Sequence, residues 1–165
     1  MTKCNQELDN KGEEVKHLTI YLAGLWDGEG SFMLVKIANR RSPNKSPMYV
    51  PTAQICMTIN GYQEKVMQIF KERYDGCLFE IKDLPSKNKN GKSILMWRAT
   101  SQKAGRIASD LHPYLRVKKR QAEILIRFCS LQAENRKRGS RWHPEQEERL
   151  ALHAEIKKLN KRGKN

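Results

Sequence analysis

A change of hydrophobic period that occurs twice along this chain is the feature that most restricts its fold. Apolar residues spaced as on one face of a helix, over about 13–26 and again over 63–74, are each followed by two runs with the period of strands. Three more helical patterns follow, and Pro144 suits the first turn of the last one. This order predicts an α+β fold in a single domain of residues 1–165. The strands are expected over 31–38, 54–60, 77–83 and 94–101. The later helices are expected over 102–111, over 118–132 and within the C-terminal helix and tail of 143–165. Residues 1–12 are expected to be a polar lead-in.

Two strand pairs of this kind predict a four-stranded antiparallel sheet, with helices on one face and an open, polar face on the other. The alternation is clearest in QICMTIN, where Ile55 and Met57 alternate with Gln54 and Thr58. The first strand is ambiguous, because Lys36 falls on the core side if the apolar residues at 32 and 34 do. Either a bulge intervenes, or the apolar residues at 33, 35 and 37 face the open side.

Basic residues dominate the charge: 32 Lys and Arg stand against 18 Asp and Glu, for a formal net charge of +14. Half of this charge lies between Arg116 and Arg141, where nine basic residues and two acids give +7. A polyanion is the expected partner, with nucleic acid ahead of an acidic membrane surface. An open sheet face with basic hairpin tips can enter a DNA major groove, whereas the alternative is a solvated surface. The charge of the whole chain favours DNA.

Several classes of protein are disfavoured. The longest apolar stretch, around 18–26, is less than half of the roughly 20 residues that a membrane span requires, so no membrane segment is expected. The polar N-terminal residues lack the pattern of a signal peptide, and the protein is expected to be intracellular, not secreted. The four cysteines form no CxxC pair, so reduced thiols are expected instead of a zinc site or a disulfide framework.

Two carboxylates, Asp27 and Glu29, stand in the segment YLAGLWDGEGSF at the expected C-terminal end of the first helix. An exposed carboxylate there is disfavoured by the helix dipole by about 0.3–1 kcal/mol, so an offsetting interaction is expected. Three interpretations remain open. The acids are solvated beyond a helix end, or Asp27 closes the helix in a local hydrogen-bonded turn, or a carboxylate holds a divalent cation such as Mg²⁺.

The stretch YLAGLWDGEG, residues 21–30, resembles the motif of the LAGLIDADG homing endonucleases, and Ser31-Phe32 continues it as the first strand does in that family. A second stretch, LHPYLRVKKRQAEIL at 111–125, resembles the segment that carries the active-site lysine in the single-motif, homodimeric branch. The resemblance covers roughly residues 15–133. It implies the αββαββα homing endonuclease fold, whose sheet forms a saddle-like DNA-binding face.

The resemblance also implies roles for individual residues. Asp27 would close the helix, and Glu29 would bind the cofactor Mg²⁺ together with the Gly28 carbonyl. Glu is a less common variant of the Asp that the family usually has at this place. Gln63 would orient water, and Lys118 would offset phosphate charge or perturb the water network. The simpler interpretation of that lysine is attraction of phosphate to the RVKKRQ run.

One position departs from the family pattern. A basic residue is expected four positions after Gln63, where this chain has Met67. Lys65 or Arg98 is the expected substitute for the missing charge.

The activity implied by the resemblance is site-specific, Mg²⁺-dependent cleavage of both strands of DNA, as in the homing of a group I intron. A single motif supplies one catalytic site, so a homodimer on a long pseudo-palindromic target is expected. Ala23 and Gly24 are the small residues at which two copies of the helix would approach, although such residues are also ordinary packing choices. The branch points to an organelle genome, chloroplast ahead of mitochondrion.

Each sheet of the dimer would read one half-site. Base contacts are expected from strand and hairpin residues, with Glu80 accepting from cytosine, and phosphate contacts from other basic residues. The candidates for bases are Gln54, Thr58, Asn60, Lys82, Arg98, Asn39, Arg40, Arg41 and Asn44, and those for phosphates include Lys119, Arg120, Arg138 and Arg141.

Two other functions compete with the nuclease. A non-cleaving protein on the same fold, either an intron RNA maturase or a DNA-binding regulator, would be expected to lose the acid or the lysine. Glu29, Gln63 and Lys118 are all present. A basic structural protein of ribosome or chromatin accounts for the charge but not for the acids at 27 and 29. The nuclease is therefore the favoured function.

Overall fold

The computed structural model describes residues 3–37, 48–59, 61–81, 93–138 and 146–161. The α+β order expected from the two changes of period is confirmed. No helix in this part of the chain has both the length and the apolar character needed to cross a membrane. The elements are α1 (Lys3–Glu29), β1 (Gly30–Ile37), β2 (Met48–Thr58), α2 (Gly61–Tyr74), β3 (Cys77–Ile81), β4 (Ile94–Thr100), α3 (Gln102–Leu111), α4 (Lys119–Arg138) and α5 (Gln146–Leu159).

Helix α1 is longer than expected at both ends. It begins at Lys3, so most of the expected polar lead-in is helical, and it ends at Glu29 instead of Trp26. Residues 3–12 contain no proline, and extending an existing helix adds one hydrogen bond for each residue that is fixed. At the other end, a side chain from the start of α4 binds the last carbonyls of α1, as described below.

The four strands form one antiparallel sheet in the order β1-β2-β4-β3. Strand β2 starts at Met48, earlier than expected, and includes Pro51. At Pro51, β4 has already ended, and the proline carbonyl accepts a hydrogen bond from the N–H of Ser101 at 2.8 Å. The backbone nitrogen and the carbonyl of one residue in an antiparallel strand point to the same edge of that strand. The nitrogen of Pro51 therefore points past the end of β4, where no strand requires an N–H group.

An aromatic cluster at the centre of the core joins α1 to the sheet and to α2. The centroid of the Trp26 ring lies 4.9 Å from that of Phe32, 5.7 Å from that of Phe70 and 6.2 Å from that of Trp97. All four side chains are fully buried. The core therefore fixes the residue that directly precedes Asp27.

Strand β1 places Phe32 and Leu34 on the core side, where both are buried. Its pairing with β2 runs along the whole strand without a bulge. Lys36 is on the core side as well, opposite the buried Tyr49, but is exposed. The apolar residues at 33, 35 and 37 therefore lie on the open side.

The open face of the sheet is less polar than expected. Gln54, Thr58 and Arg98 lie on this face, but so do apolar residues of β1 and of the first part of β2. Because β1 is apolar on both faces at its start, its period alone did not distinguish a core side from an open side. The apolar residues of this region are Met33, Val35, Ile37, Met48 and Val50.

Gly30→Ala is expected to lower the free energy of unfolding by about 1–3 kcal/mol. A Cβ at Gly30 would lie 2.3 Å from Cδ2 of the buried Trp26 ring, so the ring and the start of β1 would have to move apart. Urea denaturation followed by circular dichroism measures the change. Gly12→Ala is the control, because a Cβ there meets no atom within 4 Å. An equal loss in both variants would show that the contact with Trp26 is not the cause.

The packing of α5 on the sheet is expected to weaken as the pH falls from about 7 to about 5. The ring of His153 on α5 stacks on Tyr49 of β2, with centroids 4.4 Å apart. Burial, followed by the charges of Lys157 and Lys36, lowers the pKa of the His153 imidazole. The unfolded chain therefore takes up this proton first, and stability decreases as the pH falls below the ordinary histidine pKa of about 6.5.

Thermal unfolding at the two ends of this pH range measures the effect. His153→Gln removes the titrating ring and should show a smaller fall in Tm on acidification than the unmodified chain. The same fall in both proteins would exclude His153 as its source.

Candidate active site

The end of α1 and the start of α4 bind each other through two charged side chains, the first of which is Asp27. Its carboxylate accepts hydrogen bonds from the backbone N–H groups of Arg116, Val117 and Lys118 at 2.7, 3.2 and 2.9 Å. These residues directly precede α4, at the end where N–H groups lack partners within a helix. Asp27 lies within α1. Asp27 had been expected to close its own helix. Its carboxylate instead caps the residues that lead into α4.

Lys118 makes the reciprocal contact. Its ammonium group donates to the carbonyl oxygens of Trp26, Asp27 and Gly28 at 3.0, 2.8 and 3.4 Å. Carbonyls in the last turn of a helix lack partners within that helix, and a cation beside them offsets the helix dipole. The interaction that the two acids required is therefore supplied by a lysine from a distant part of the chain.

Glu29 and Gln63 line the same cavity, which has a volume of about 530 Å³. Glu29 is the last residue of α1 and is exposed. Gln63 comes from the first turn of α2, and its Oε1 atom is buried without a hydrogen-bond partner among the described residues. Because this oxygen is buried, the side-chain amide of Gln63 has to turn towards the cavity before the oxygen can accept a hydrogen bond from water there. The remaining walls come from α1, β2, α2 and β4.

The oxygen atoms at this cavity suit Mg²⁺. This ion takes oxygen ligands, keeps several waters and is often held by only one or two carboxylates. Glu29 supplies a carboxylate and Gln63 an amide at the cavity, whereas the Gly28 carbonyl, the other expected ligand, accepts a hydrogen bond from the Lys118 ammonium at 3.4 Å. Within the described ranges no three His, Cys, Asp or Glu side chains are grouped to hold a metal. Among the residues described as lining the cavity, Glu29 is the carboxylate.

Arg98 does not line the cavity, but its positive charge acts on Cys56, which does. Met67 is fully buried in the core, so a side chain at its position does not reach the cavity. Burial raises the pKa of the Cys56 thiol, while the charge of Arg98 lowers that pKa and the charge of Glu29 raises it. Since Cys56 lines the cavity, both charges act at the same place. Lys65, the other expected substitute, is exposed on α2.

The residues predicted to read bases are partly ordered by one another. On the open face, Arg98 donates to Oε1 of Gln54 from Nε at 3.2 Å and from Nη2 at 3.0 Å. Its guanidinium carbon also lies 5.6 Å from the centroid of the Phe79 ring. Thr58 is exposed on the same face and lines the cavity as well. The cavity therefore borders the open face.

Two residues predicted to contact DNA have other positions or partners. Glu80 pairs with Leu95, so it lies on the helix-covered face of the sheet and cannot read bases from the open face. Arg120 donates to Glu155 at 2.7 and 3.1 Å and to Glu123 at 3.0 Å, which joins α4 to α5. The pairing of β3 with β4 decides on which face Glu80 lies, and the packing of α5 beside α4 decides the partner of Arg120. Neither is visible in the local sequence.

The two small residues expected between α1 helices also differ. Ala23 is fully buried in the core of its own chain, so it is unable to contact a second copy. Gly24 is exposed, with no atom within 4 Å of a Cβ built on it. Of these two residues, Gly24 is the one placed for a close approach of two helices.

The other candidates are described less fully. Lys119 is exposed at the start of α4. Of Arg138 only the helical backbone is described. Asn39, Arg40, Arg41, Asn44, Asn60, Lys82 and Arg141 lie outside the described residues.

Two aromatic residues at the cavity were not predicted. Tyr21 and Tyr62 line it from α1 and α2, and Tyr62 is 84% exposed. The available signal was an aromatic residue directly before Gln63, at a junction of strand and helix. A tyrosine hydroxyl in this position can donate to a phosphate oxygen.

The similarity of this chain to known proteins is found by comparing folds and not by comparing sequences. No family model matches the sequence, and no curated protein matches it. The homing endonuclease I-CvuI, crystallised with the I-CreI target in the presence of Mg, matches with a TM-score of 0.66 at 14% identity, over 91% of this chain and 86% of that chain. The chain has the homing endonuclease fold.

Two further solved structures share this homing endonuclease fold. The archaeal intron-encoded homing endonuclease I-Vdi141I, complexed with DNA, matches with a TM-score of 0.63 at 15% identity, over 92% of this chain and 87% of that chain. The LAGLIDADG homing endonuclease I-SmaMI, bound to cleaved DNA, matches with a TM-score of 0.62 at 20% identity over 86% of this chain. This chain spans 44% of the length of I-SmaMI.

Proposed function

We propose that this chain is a site-specific double-strand DNA endonuclease that requires Mg²⁺ and acts as a homodimer. The observation that carries the proposal is the cavity at the end of α1, which Glu29 and Gln63 both line beside the open sheet face. The net charge of +14 suits a polyanion. I-CvuI and I-Vdi141I, which share the fold, were solved with DNA.

Each group at the cavity has a role in hydrolysis of a phosphodiester. Glu29, together with the Gly28 carbonyl, would hold Mg²⁺, which when bound would stabilise the charge that develops on the attacking and leaving oxygens. Gln63 accepts a hydrogen bond from a water through Oε1 and so orients it towards the phosphorus. Lys118 holds the last carbonyls of α1 in place. Lys118 therefore acts first as a positioning residue for Glu29 and Gly28.

A second copy of the chain supplies the second site that cleavage of both strands requires. Gly24 on α1 leaves space for another helix, and the neighbouring Ile20 and Tyr21 are 43% and 53% exposed. Two α1 helices packed along this face would place their two Glu29 residues near the two-fold axis. The target would then be pseudo-palindromic. Intron homing in an organelle, chloroplast ahead of mitochondrion, is the setting proposed for the activity.

Selection of DNA by the protein itself tests this function. The chain is mixed with a randomised duplex library in Ca²⁺, bound duplexes are recovered, and the ions are exchanged for Mg²⁺. Sequencing of the ends should show one cut in each strand, at positions related by the two-fold symmetry of the selected sequence. Binding should also fall steeply with salt, because many phosphate contacts are expected.

Two results would contradict the proposal. Selective binding without cleavage in Mg²⁺ would favour the non-cleaving regulator, and preference for a structured RNA over every duplex would favour the maturase. Sedimentation of the selected complex as a one-to-one assembly would remove the homodimer.

A further inference from the structure

The open face of the sheet carries an apolar patch whose role the proposed cleavage mechanism does not explain. We define the β1–β2 patch as Met33, Val35 and Ile37 of β1 with Met48 and Val50 of β2. Val35 pairs with Val50, and Ile37 pairs with Met48, so these side chains lie side by side on one face. Val35 and Ile37 are each 40% exposed, and Met48 is 54% exposed.

The position of the patch relates it to the cavity. Glu29 directly precedes β1, whereas the most exposed members of the patch are at the opposite end of the strand. The helices that contact β1 and β2 pack on the core side, where Phe32, Leu34 and Tyr49 are buried. No helix of the described residues therefore covers the patch, and along β2 the same face continues through the buried Thr52 to Gln54.

The charge of the molecule decides between the possible occupants. The open face carries Arg98, so two copies facing one another there would bring their arginines together and repel one another. A DNA duplex has the opposite charge. Its major groove also offers an apolar group, the C5-methyl of thymine, which apolar side chains contact in direct readout.

We propose that the β1–β2 patch reads thymine methyl groups in the outer part of each half-site, an inference that rests on the proposed DNA-cleaving function. Five to seven strand residues separate Gly30 from Val35 and Ile37. At about 3.3 Å for each residue and 3.4 Å for each base pair, the thymines lie on the order of five to seven base pairs from the scissile phosphate. The Gln54–Arg98 pair reads polar base edges closer to the cut.

The test uses the duplexes selected by the unmodified chain from the randomised library. The same pool is amplified once with thymidine triphosphate and once with deoxyuridine triphosphate, which removes the methyl groups and keeps the sequence and its base pairing. Affinity for the uracil pool is expected to fall about fourfold for each methyl group that the patch would otherwise bury. The selected sequences should also be enriched in thymine in the predicted window.

Two double variants locate the effect. Val35→Ser with Ile37→Ser should bind the thymine and uracil pools equally. Leu150→Ser with Leu159→Ser on α5, where both leucines are 42% exposed, should still prefer thymine as strongly as the unmodified chain does. The comparison of the two pools with the unmodified chain does not depend on the folding of either variant.

The outcomes separate this inference from the proposed function. Cleavage of the selected duplexes with equal affinity for both pools would overturn the methyl readout and leave the nuclease in place. An equal preference for thymine in the patch variant would assign the methyl effect to DNA shape. A change of oligomeric state in the patch variant would make the patch a protein interface. Failure to select or cut any duplex would remove the proposed function itself.

Discussion

Glu29→Gln is expected to slow strand cleavage by about 10²–10³-fold while the protein continues to bind the selected DNA. The amide has nearly the size of the carboxylate but no charge, so it is a much weaker ligand for Mg²⁺. DNA affinity should be equal or slightly higher, because a negative charge is removed from the phosphate-binding side. Single-turnover cleavage in Mg²⁺ and fluorescence anisotropy in Ca²⁺ measure the two quantities separately.

Glu134→Gln provides the matched control for this experiment. It makes the same chemical change at an exposed position near the end of α4, away from the cavity. Its cleavage rate should stay close to that of the unmodified chain. Equal rates for Glu29→Gln and Glu134→Gln would refute the assignment of Glu29 as a metal ligand.

Asp27→Ala is expected to lower the free energy of unfolding by about 2–4 kcal/mol, since hydrogen bonds to a charged group contribute more than neutral ones. The substitution leaves the N–H groups of residues 116–118 without the carboxylate that binds them. It also leaves the ammonium of Lys118 next to the α1 carbonyls without the nearby negative charge. Asp27→Asn, which keeps one acceptor oxygen, should lose less. Urea denaturation measures these differences.

The reciprocal arrangement gives a second measurement. Because Asp27 and Lys118 hold the same junction, the effects of Asp27→Ala and Lys118→Met should be non-additive in a double-mutant cycle. Glu13→Ala, an exposed acid on the same helix, is the control for loss of one negative charge. If Asp27→Ala unfolds at the same urea concentration as Glu13→Ala, the cap on the approach to α4 contributes little to stability.

Periodicity predicted the order of the elements, because a helix and a strand each impose their own spacing on apolar residues. The same signal failed where a strand is apolar on both sides. For β1 it left the register open, and it did not show that Val35 and Ile37 lie on the open face. Glu80 was misplaced for a related reason, since a strand of five residues offers too few positions to fix which side faces the helices.

The prediction of Glu29 and Gln63 as parts of one site needed the family resemblance, because the two residues stand on different elements. Gly28 and Glu29 stand in the motif itself, and Gln63 follows the second strand at the place that the resemblance indicated. The unpredicted Tyr62 is next to Gln63. The displaced basic charge was predicted only as a choice between Lys65 and Arg98, because the inward position of Met67 depends on the face of α2 that packs on the core.

The sequence by itself determined the alternation of helices and strands, the basic charge, and the presence of two acids at the end of a helix. These depend on residue type and on neighbours within a few positions. The tertiary structure alone decided what offsets those acids. The partners of Asp27 lie 89 to 91 residues away. The ammonium group of Lys118 donates to the carbonyls at the same helix end. Pairing of two helix ends depends on how the whole chain packs, and no local pattern records it.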